Sequence, residues 1–133
     1  MPLTLADRLA IHELLALHGH LVDEGAFERL HEIFTDDVVY DLRDFGGEEL
    51  RGITAITNAS LALGERNPLG HHVTNVVIVA GEGDVAEVRS KGIGVRADGS
   101  CGTVVYHDEL LRGATGWRIA RRRLSPRRAP LRP

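Results

Sequence analysis

At 133 residues, 43% hydrophobic and 26% charged, the sequence has the length and composition of one globular domain, which excludes a second core and a disordered or fibrous chain. All 19 acidic residues precede Trp117 with nine of the 16 basic ones, whereas residues 118–133 hold seven arginines and no acid. The longest aliphatic run, residues 76–80, is too short to span a bilayer and no signal peptide is evident, so we expect a cytoplasmic protein without membrane contact.

Three helices are predicted in the first half of the chain. The first begins at a capping box formed by Thr4 and Asp7, and its apolar stripe continues to Val22. The second is short and carries apolar residues at helical spacing over residues 27–34, after which residues 38–42 predict a strand. The third covers residues 54–63.

Four strands are predicted in the second half, over residues 71–80, 85–95, 103–111 and 117–124. Their short connections, such as Asp98-Gly99, are typical of antiparallel hairpins, so the whole pattern predicts an α+β fold. Because the three helices cannot bury their apolar stripes against one another alone, we expect them on the concave face of a curved, cone-shaped sheet whose mouth forms a small-molecule pocket. Residues 1–124 would form this domain, and residues 125–133 a basic tail.

Six segments follow one another in an order and spacing that resemble a known family. They are Ala10-Ile11-x-Glu13-Leu14-Leu15, Val22-Asp23-x-Gly25, Leu30-x-x-Ile33-Phe34-Thr35-Asp36-Asp37-Val38-Val39-Tyr40-Asp41, Arg51-Gly52-x-x-Ala55-Ile56, His71-His72-Val73-Thr74-Asn75 and Gly116-Trp117-Arg118-Ile119. Together they resemble the SnoaL-like branch of the nuclear transport factor 2-like superfamily, which includes scytalone dehydratase-like and polyketide cyclase-like proteins. The resemblance implies an α+β cone that is usually dimeric. It does not imply one reaction, since dehydratases, isomerases, cyclases, epoxide hydrolases and non-catalytic binders share the fold.

Asp23 and His72 are the candidate acid/base pair. Asp23 is expected to end the first helix at the mouth of the cone, and His72 to open the first strand of the meander. A cleft that balances desolvation of both groups against their mutual attraction can set one of them near neutral pH for proton transfer. The resemblance implies the same pair, since dehydratase-like members carry an aspartate and a histidine at the matching positions. The alternatives are a helix N-cap for Asp23 and a half-exposed strand position for His72.

Four further residues are candidates for substrate binding: His18, Tyr40, Ser90 and His107. His18 lies on the apolar stripe of the first helix, either as a core residue or as a pocket group that orients substrate or Asp23. Tyr40 is expected to donate a hydrogen bond to a substrate oxygen. Ser90 stands where dehydratase-like members have a second histidine, and His107 is the candidate to compensate, although the sequence leaves open whether it or Tyr106 faces inward.

These residues predict a cofactor-independent acid/base enzyme, of the dehydratase, isomerase or cyclase type. Its substrate would be a small, largely apolar cyclic carbonyl or hydroxyl compound, such as a polyketide- or steroid-like metabolite. No cofactor or metal is expected, because the seven histidines lack a ligand spacing such as His-Glu-x-x-His. One alternative is a non-catalytic ligand-binding or assembly subunit. Another is an epoxide hydrolase, which requires Arg89 to point into the cone between carboxylates.

A homodimer is expected, because one face of the sheet has no further helix to cover it. Outward residues such as Val85, Ile93 and Val95 predict a mixed apolar and polar interface, with residues 118–133 in it or near it. The basic tail suggests either a strap across the acidic surface of the chain or its partner, or a nucleic-acid contact. We expect no nucleic-acid partner, because the tail contains no aromatic residue to stack on bases.

Overall fold

A computed structural model describes residues 1–132 and shows the predicted α+β fold. Its α-helices and strands are α1 (Leu5–Asp23), β1 (Phe34–Asp41), β2 (Glu49–Arg51), α2 (Ile53–Leu63), β3 (Gly70–Glu82), β4 (Val85–Val95), β5 (Cys101–Gly113) and β6 (Gly116–Pro126). Short 3₁₀ helices cover Phe27–Glu32, Arg43–Phe45 and Gly64–Arg66. No helix in the described part is both long enough and apolar enough to cross a membrane.

The first and third predicted helices are confirmed, and the second forms as a short 3₁₀ helix that ends two residues earlier than predicted. In α1 the Thr4 hydroxyl accepts a hydrogen bond from the Asp7 N–H, while the Asp7 carboxylate accepts one from the Thr4 N–H, as a capping box requires. The second segment forms only the 3₁₀ helix Phe27–Glu32. Its last apolar residues leave the helix because the Ile119 N–H donates to the Ile33 carbonyl at 2.7 Å, which joins this segment to β6.

Six strands form one sheet in the order β2-β1-β6-β5-β4-β3 within the described residues. Strands β3 to β6 are the predicted antiparallel meander. Strand β1 lies parallel to β6, and β2, which the sequence did not reveal, pairs antiparallel with β1. These two pairings join residues distant in the sequence, so no local turn signal announces them.

The core lies between the helices and one face of the sheet, called here the inner face. Helix α1 contacts β3 and β6, and α2 contacts β1 and β2. On β4 the small residues Ala86, Val88 and Ser90 are buried on the inner face, while their neighbours along the strand are exposed, as the alternation predicts. The other side of the sheet, the outer face, carries exposed apolar side chains, among them Val77, Val79, Val85, Ile93 and Leu111.

A buried ion pair joins β5 to β6 on the inner face of the sheet. Asp108 and Arg122 lie directly opposite each other in the sheet, and both side chains are fully buried. Two hydrogen bonds of 2.7 and 2.8 Å connect them. The Arg122 guanidinium also lies over the Tyr106 ring, 4.1 Å from its centroid. The pair and the ring therefore form one packed unit at the centre of the sheet.

The arginine-rich end of the chain pairs with the chain's own carboxylates, most of which are buried. Arg121 binds Asp41 at 3.0 Å, Arg122 binds Asp108, and Arg123 binds Asp44 at 3.2 Å. These arginines belong to β6, which continues to Pro126, two residues past the predicted domain boundary. Most of the basic cluster is therefore part of the sheet.

Candidate functional site

A cavity of about 400 Å³ is lined by residues from both α-helices and from the inner face of the sheet. Its deep end consists of buried side chains, including His18, Phe34 and Tyr106. Exposed residues such as Phe45 and Arg96 line the part that meets solvent, called here the mouth. Cavities of this volume accommodate small organic molecules.

Asp23 and His71 form a hydrogen-bonded pair at this cavity. Asp23 is the last residue of α1, and His71 is the second residue of β3. The Asp23 carboxylate accepts hydrogen bonds from the His71 backbone N–H at 3.0 and 3.1 Å, and its Oδ1 lies 2.7 Å from His71 Nδ1. Because a carboxylate only accepts, Nδ1 carries the hydrogen, so a neutral His71 ring keeps its lone pair on Nε2. His71 itself lines the cavity.

The prediction that His72 faces Asp23 is wrong. His72 is exposed on the outer face, and its neighbour His71 is half-buried on the inner face. Counting back by twos from Ile78, which packs against the core, would place His72 inward. A β-bulge between Thr74 and Val77 shifts this alternation by one residue. Asn75, which occupies the bulge, has a φ of 53° and is exposed, so it shapes the strand without lining the cavity.

Gly19 brings α1 close enough to β3 for the Asp23–His71 pair to form. A Cβ at this position would lie 2.4 Å from the carbonyl oxygen of His71, well inside the van der Waals distance. This role was not predicted from the sequence. The available signal was a glycine in the interior of a helix, where it weakens the helix and usually has a packing reason.

The deep end of the cavity holds three hydrogen-bonding side chains: His18, Tyr40 and Tyr106. Neither ring nitrogen of His18 has a hydrogen-bond partner among the described residues, and its Nδ1 is completely buried. Burial, with a smaller contribution from Arg122, holds the pKa of His18 well below its ordinary value, so the ring is neutral at pH 7. Burial raises the pKa of both tyrosines, so both stay phenols. Two of the predicted binding residues, His18 and Tyr40, therefore line the cavity.

Tyr106 faces inward because Gly92 leaves room for it. A Cβ at Gly92 would come within 2.6 Å of the Tyr106 hydroxyl. His107 accordingly faces outward, in a surface groove with Arg89 and Arg123, and does not line the cavity. His107 therefore cannot bind a substrate in this cavity, contrary to the prediction.

Ser90 and Arg89 also differ from their predicted environments. Ser90 is buried on the inner face but does not line the cavity, and its hydroxyl has no hydrogen-bond partner among the described residues. Arg89 is exposed on the outer face, so the arrangement that an epoxide hydrolase requires is absent. Residues 1–132 contain no group of three or more histidine, cysteine, aspartate or glutamate side chains placed to hold a metal ion.

Comparison with known proteins relates residues 3–123 to the SnoaL-like domain, whose family model matches them. The uncharacterized protein Rv2910c of Mycobacterium tuberculosis is 30% identical over 125 residues, which cover 89% of this chain and 84% of that protein. A proposed aromatic ring hydroxylase from Novosphingobium aromaticivorans is 29% identical, with a TM-score of 0.79 over 96% of this chain and 93% of its own. A proposed scytalone dehydratase from the same organism shares the fold, with a TM-score of 0.77 at 20% identity over 96% of this chain and 91% of its own.

Proposed function

Because the chain belongs to the SnoaL-like domain family, we propose that it is an acid/base enzyme of the dehydratase, isomerase or cyclase type that needs no cofactor. The observation that carries this proposal is the Asp23–His71 hydrogen bond of 2.7 Å beside a largely apolar cavity. An aspartate that fixes the tautomer of a histidine and stabilises its protonated form makes the free ring nitrogen a base. His71 thus takes the role that was predicted for His72.

In the proposed reaction, His71 Nε2 removes a proton from a carbon next to a substrate carbonyl. The electrons of the C–H bond form an enolate, whose oxygen carries the negative charge. In a dehydration, the enolate re-forms the carbonyl and expels a hydroxyl group from the neighbouring carbon, and protonated His71 gives its proton to that hydroxyl, so water leaves. In an isomerisation, the same proton returns to a different carbon. Asp23 stabilises the imidazolium between the two transfers.

The deep end of the cavity would hold the carbonyl oxygen. Tyr40 and Tyr106 keep their protons because burial raises the pKa of each, so they donate hydrogen bonds to an enolate oxygen without transferring a proton to it. Neutral His18 lies 6.3 Å from Tyr106, measured between ring centroids, and offers a further polar group there. This arrangement orients the substrate with its oxygen inward and its reacting carbon toward His71.

The lining of the cavity favours a small and mainly apolar substrate. Leucine, isoleucine, valine and phenylalanine side chains make up much of the wall, namely Val22, Leu30, Phe34, Leu42, Phe45, Leu50, Ile56, Leu63, Val104 and Leu124. The cavity is open rather than filled by side chains, and the carboxylate and imidazole are in contact rather than apart. Both features support an enzyme over a non-catalytic binder with the same fold.

The test is a thermal-shift screen with cyclic ketones and hydroxy-ketones, followed by turnover measurements on the compounds that bind. We expect His71→Ala and Asp23→Asn each to lower turnover by about 10²–10⁴. His72→Ala removes an imidazole from the same strand on the outer face and is the matched control, with unchanged turnover. Wild-type turnover in both pair variants would remove the pair from the mechanism, and tight binding without turnover of any compound would favour the binder.

We also propose that the chain is a homodimer that associates through the outer face of the sheet. Val77, Val79, Val85 and Leu111 are each between 44% and 60% exposed there, an unusual density of large apolar side chains for a surface. Two polar rows lie among them. Arg89 and Arg123 flank His107 in one row across β4, β5 and β6, and the neighbouring row holds Glu87, Glu109 and Arg121. A two-fold axis would set the two arginines of the first row in one copy against the two glutamates of the other.

A further inference from the structure

The cavity carries one permanently charged side chain among the described residues, that of Arg96 at the mouth, and no aspartate or glutamate lines it. Arg96 is exposed and has no acidic partner within salt-bridge distance in the described part of the chain. Its one side-chain hydrogen bond there is a long one of 3.4 Å to the Ser100 hydroxyl. The nearby Asp98 interacts with Arg96 through charge alone, without a hydrogen bond, and its Oδ1 accepts from the Ser100 N–H and hydroxyl at 2.9 and 2.7 Å. The Arg96 guanidinium is therefore available to a ligand.

Arg96 lies across the inner face of the sheet from the Asp23–His71 pair. His71 stands opposite Gly94, and Gly94 stands opposite Gly102, so the three residues form one row across β3, β4 and β5. The Arg96 side chain covers the inner side of Gly102, where an added Cβ would lie 3.4 Å from Nη2. Two strand spacings separate His71 from Gly102, a span of roughly 10 Å. The base and the cation thus lie at opposite ends of this row, on the same face of the sheet.

We infer that the ligand of this cavity is an apolar ring compound that bears a carboxylate, and that Arg96 binds this carboxylate at the mouth. The inference rests on the proposed function and names the substrate class of the same site. A guanidinium matches a carboxylate in a planar, two-point hydrogen-bonded geometry, which a neutral polar group cannot reproduce. At the mouth both charges stay partly hydrated, so the pairing avoids the desolvation cost of a buried ion pair. The ring would then fill the apolar cavity between Arg96 and His71.

Isothermal titration calorimetry with two matched probes tests this inference at pH 7.5 and low salt. The probes are 2-naphthoate and 2-naphthalenemethanol, which share a ring system and differ in charge. We expect the wild-type protein to bind the naphthoate about tenfold more tightly. Arg96→Gln should abolish this preference without weakening the alcohol, and Arg96→Lys should keep part of it. Arg8→Gln removes an exposed arginine at the far end of α1 and should leave both affinities unchanged.

Several results would overturn the inference. They are equal affinity for the two probes, no binding of either probe, or a preference that Arg96→Gln leaves intact. Melting temperatures of the variants verify that each is folded, and because Arg96 is exposed its replacement should leave them within about 2 °C of wild type. The binding test is independent of turnover. If the wild-type protein shows the Arg96-dependent preference for naphthoate but turns over none of the compounds, the proposed function is wrong and the carboxylate site stands.

Discussion

Replacing Gly19 with alanine tests whether the close approach of α1 to β3 positions the proposed catalytic pair. The added Cβ would meet the His71 carbonyl oxygen at 2.4 Å, whereas real Cβ atoms essentially never come within 3.0 Å of another group. The obstacle is backbone, so it cannot rotate away. Strand β3 must therefore retreat from α1 by roughly 0.6 Å or more at the residue that Asp23 binds.

Two opposing effects determine the change in stability. Alanine is favoured over glycine in the interior of a helix by about 1 kcal/mol, so without the contact the substitution would stabilise the protein. Overpacking of a close contact costs about 1–3 kcal/mol. We therefore expect a free energy of unfolding that is unchanged or lowered by up to about 2 kcal/mol. The effect on the Asp23–His71 pair is larger, because its hydrogen bonds of 2.7–3.1 Å lengthen as the strand moves.

Urea unfolding measures the first effect, and the NMR signal of the His71 Nδ1–H proton, which reports the hydrogen bond to Asp23, measures the second. We expect this signal to move upfield as the hydrogen bond lengthens, and turnover to fall more than stability does. Gly113→Ala is the matched control, because no atom lies within 4 Å of the Cβ it would add. A Gly19→Ala protein that gains about 1 kcal/mol and keeps the wild-type Nδ1–H signal of His71 would refute the reasoning.

Three further predictions concern the ion pair, the buried histidine and the assembly. Asp108→Ala leaves Arg122 buried without its partner and should lower the free energy of unfolding in urea by about 3–5 kcal/mol, whereas a loss below about 1 kcal/mol would contradict the burial of this pair. Because the folded-state pKa of His18 is depressed, its neutral form is favoured, so stability is complete above about pH 6.5 and falls as the pH drops below that value. His18→Leu should flatten this dependence between pH 7.5 and 5, and a parallel loss in both proteins would assign it to other groups. Light scattering at micromolar concentration should give the mass of two chains and a weaker dimer after deletion of residues 127–133. A one-chain mass contradicts the dimer, and an unchanged dimer contradicts only the role of the tail.

The elements that could be predicted from the sequence are those with local signals. The capping box at Thr4 and the short hairpin turns identified α1 and the four strands of the meander to within about two residues. The parallel pairing of β1 with β6 and the three-residue strand β2 depend on contacts between distant segments. The helical spacing over residues 27–34 became a 3₁₀ helix of six residues for the same reason, since tertiary pairing overrides a short local pattern.

Several residues of the candidate site could be predicted from the sequence, but their geometry could not. The structure places three of the predicted residues at the cavity or in the pair beside it: Asp23, His18 and Tyr40. For α1, the spacing of apolar residues indicated both where the helix ends and which side faces the core. The burial of Arg122 could not be predicted from the sequence. Arg122 is the middle one of three consecutive arginines, and the sequence does not show which of them faces the core when alternate strand positions face opposite sides.

The bulge at Asn75 has a consequence for how this chain is aligned with others. Consider an alignment with a protein whose corresponding strand has no bulge. If no gap is opened at Asn75, His72 is matched to the residue of that strand that faces the end of α1. An alignment that opens a gap there matches His71 instead. One left-handed backbone residue, with a φ of 53°, therefore decides which of two adjacent histidines faces the end of α1. Motifs in this strand can be compared between proteins only after the structure has shown which residues face inward on each side of the bulge.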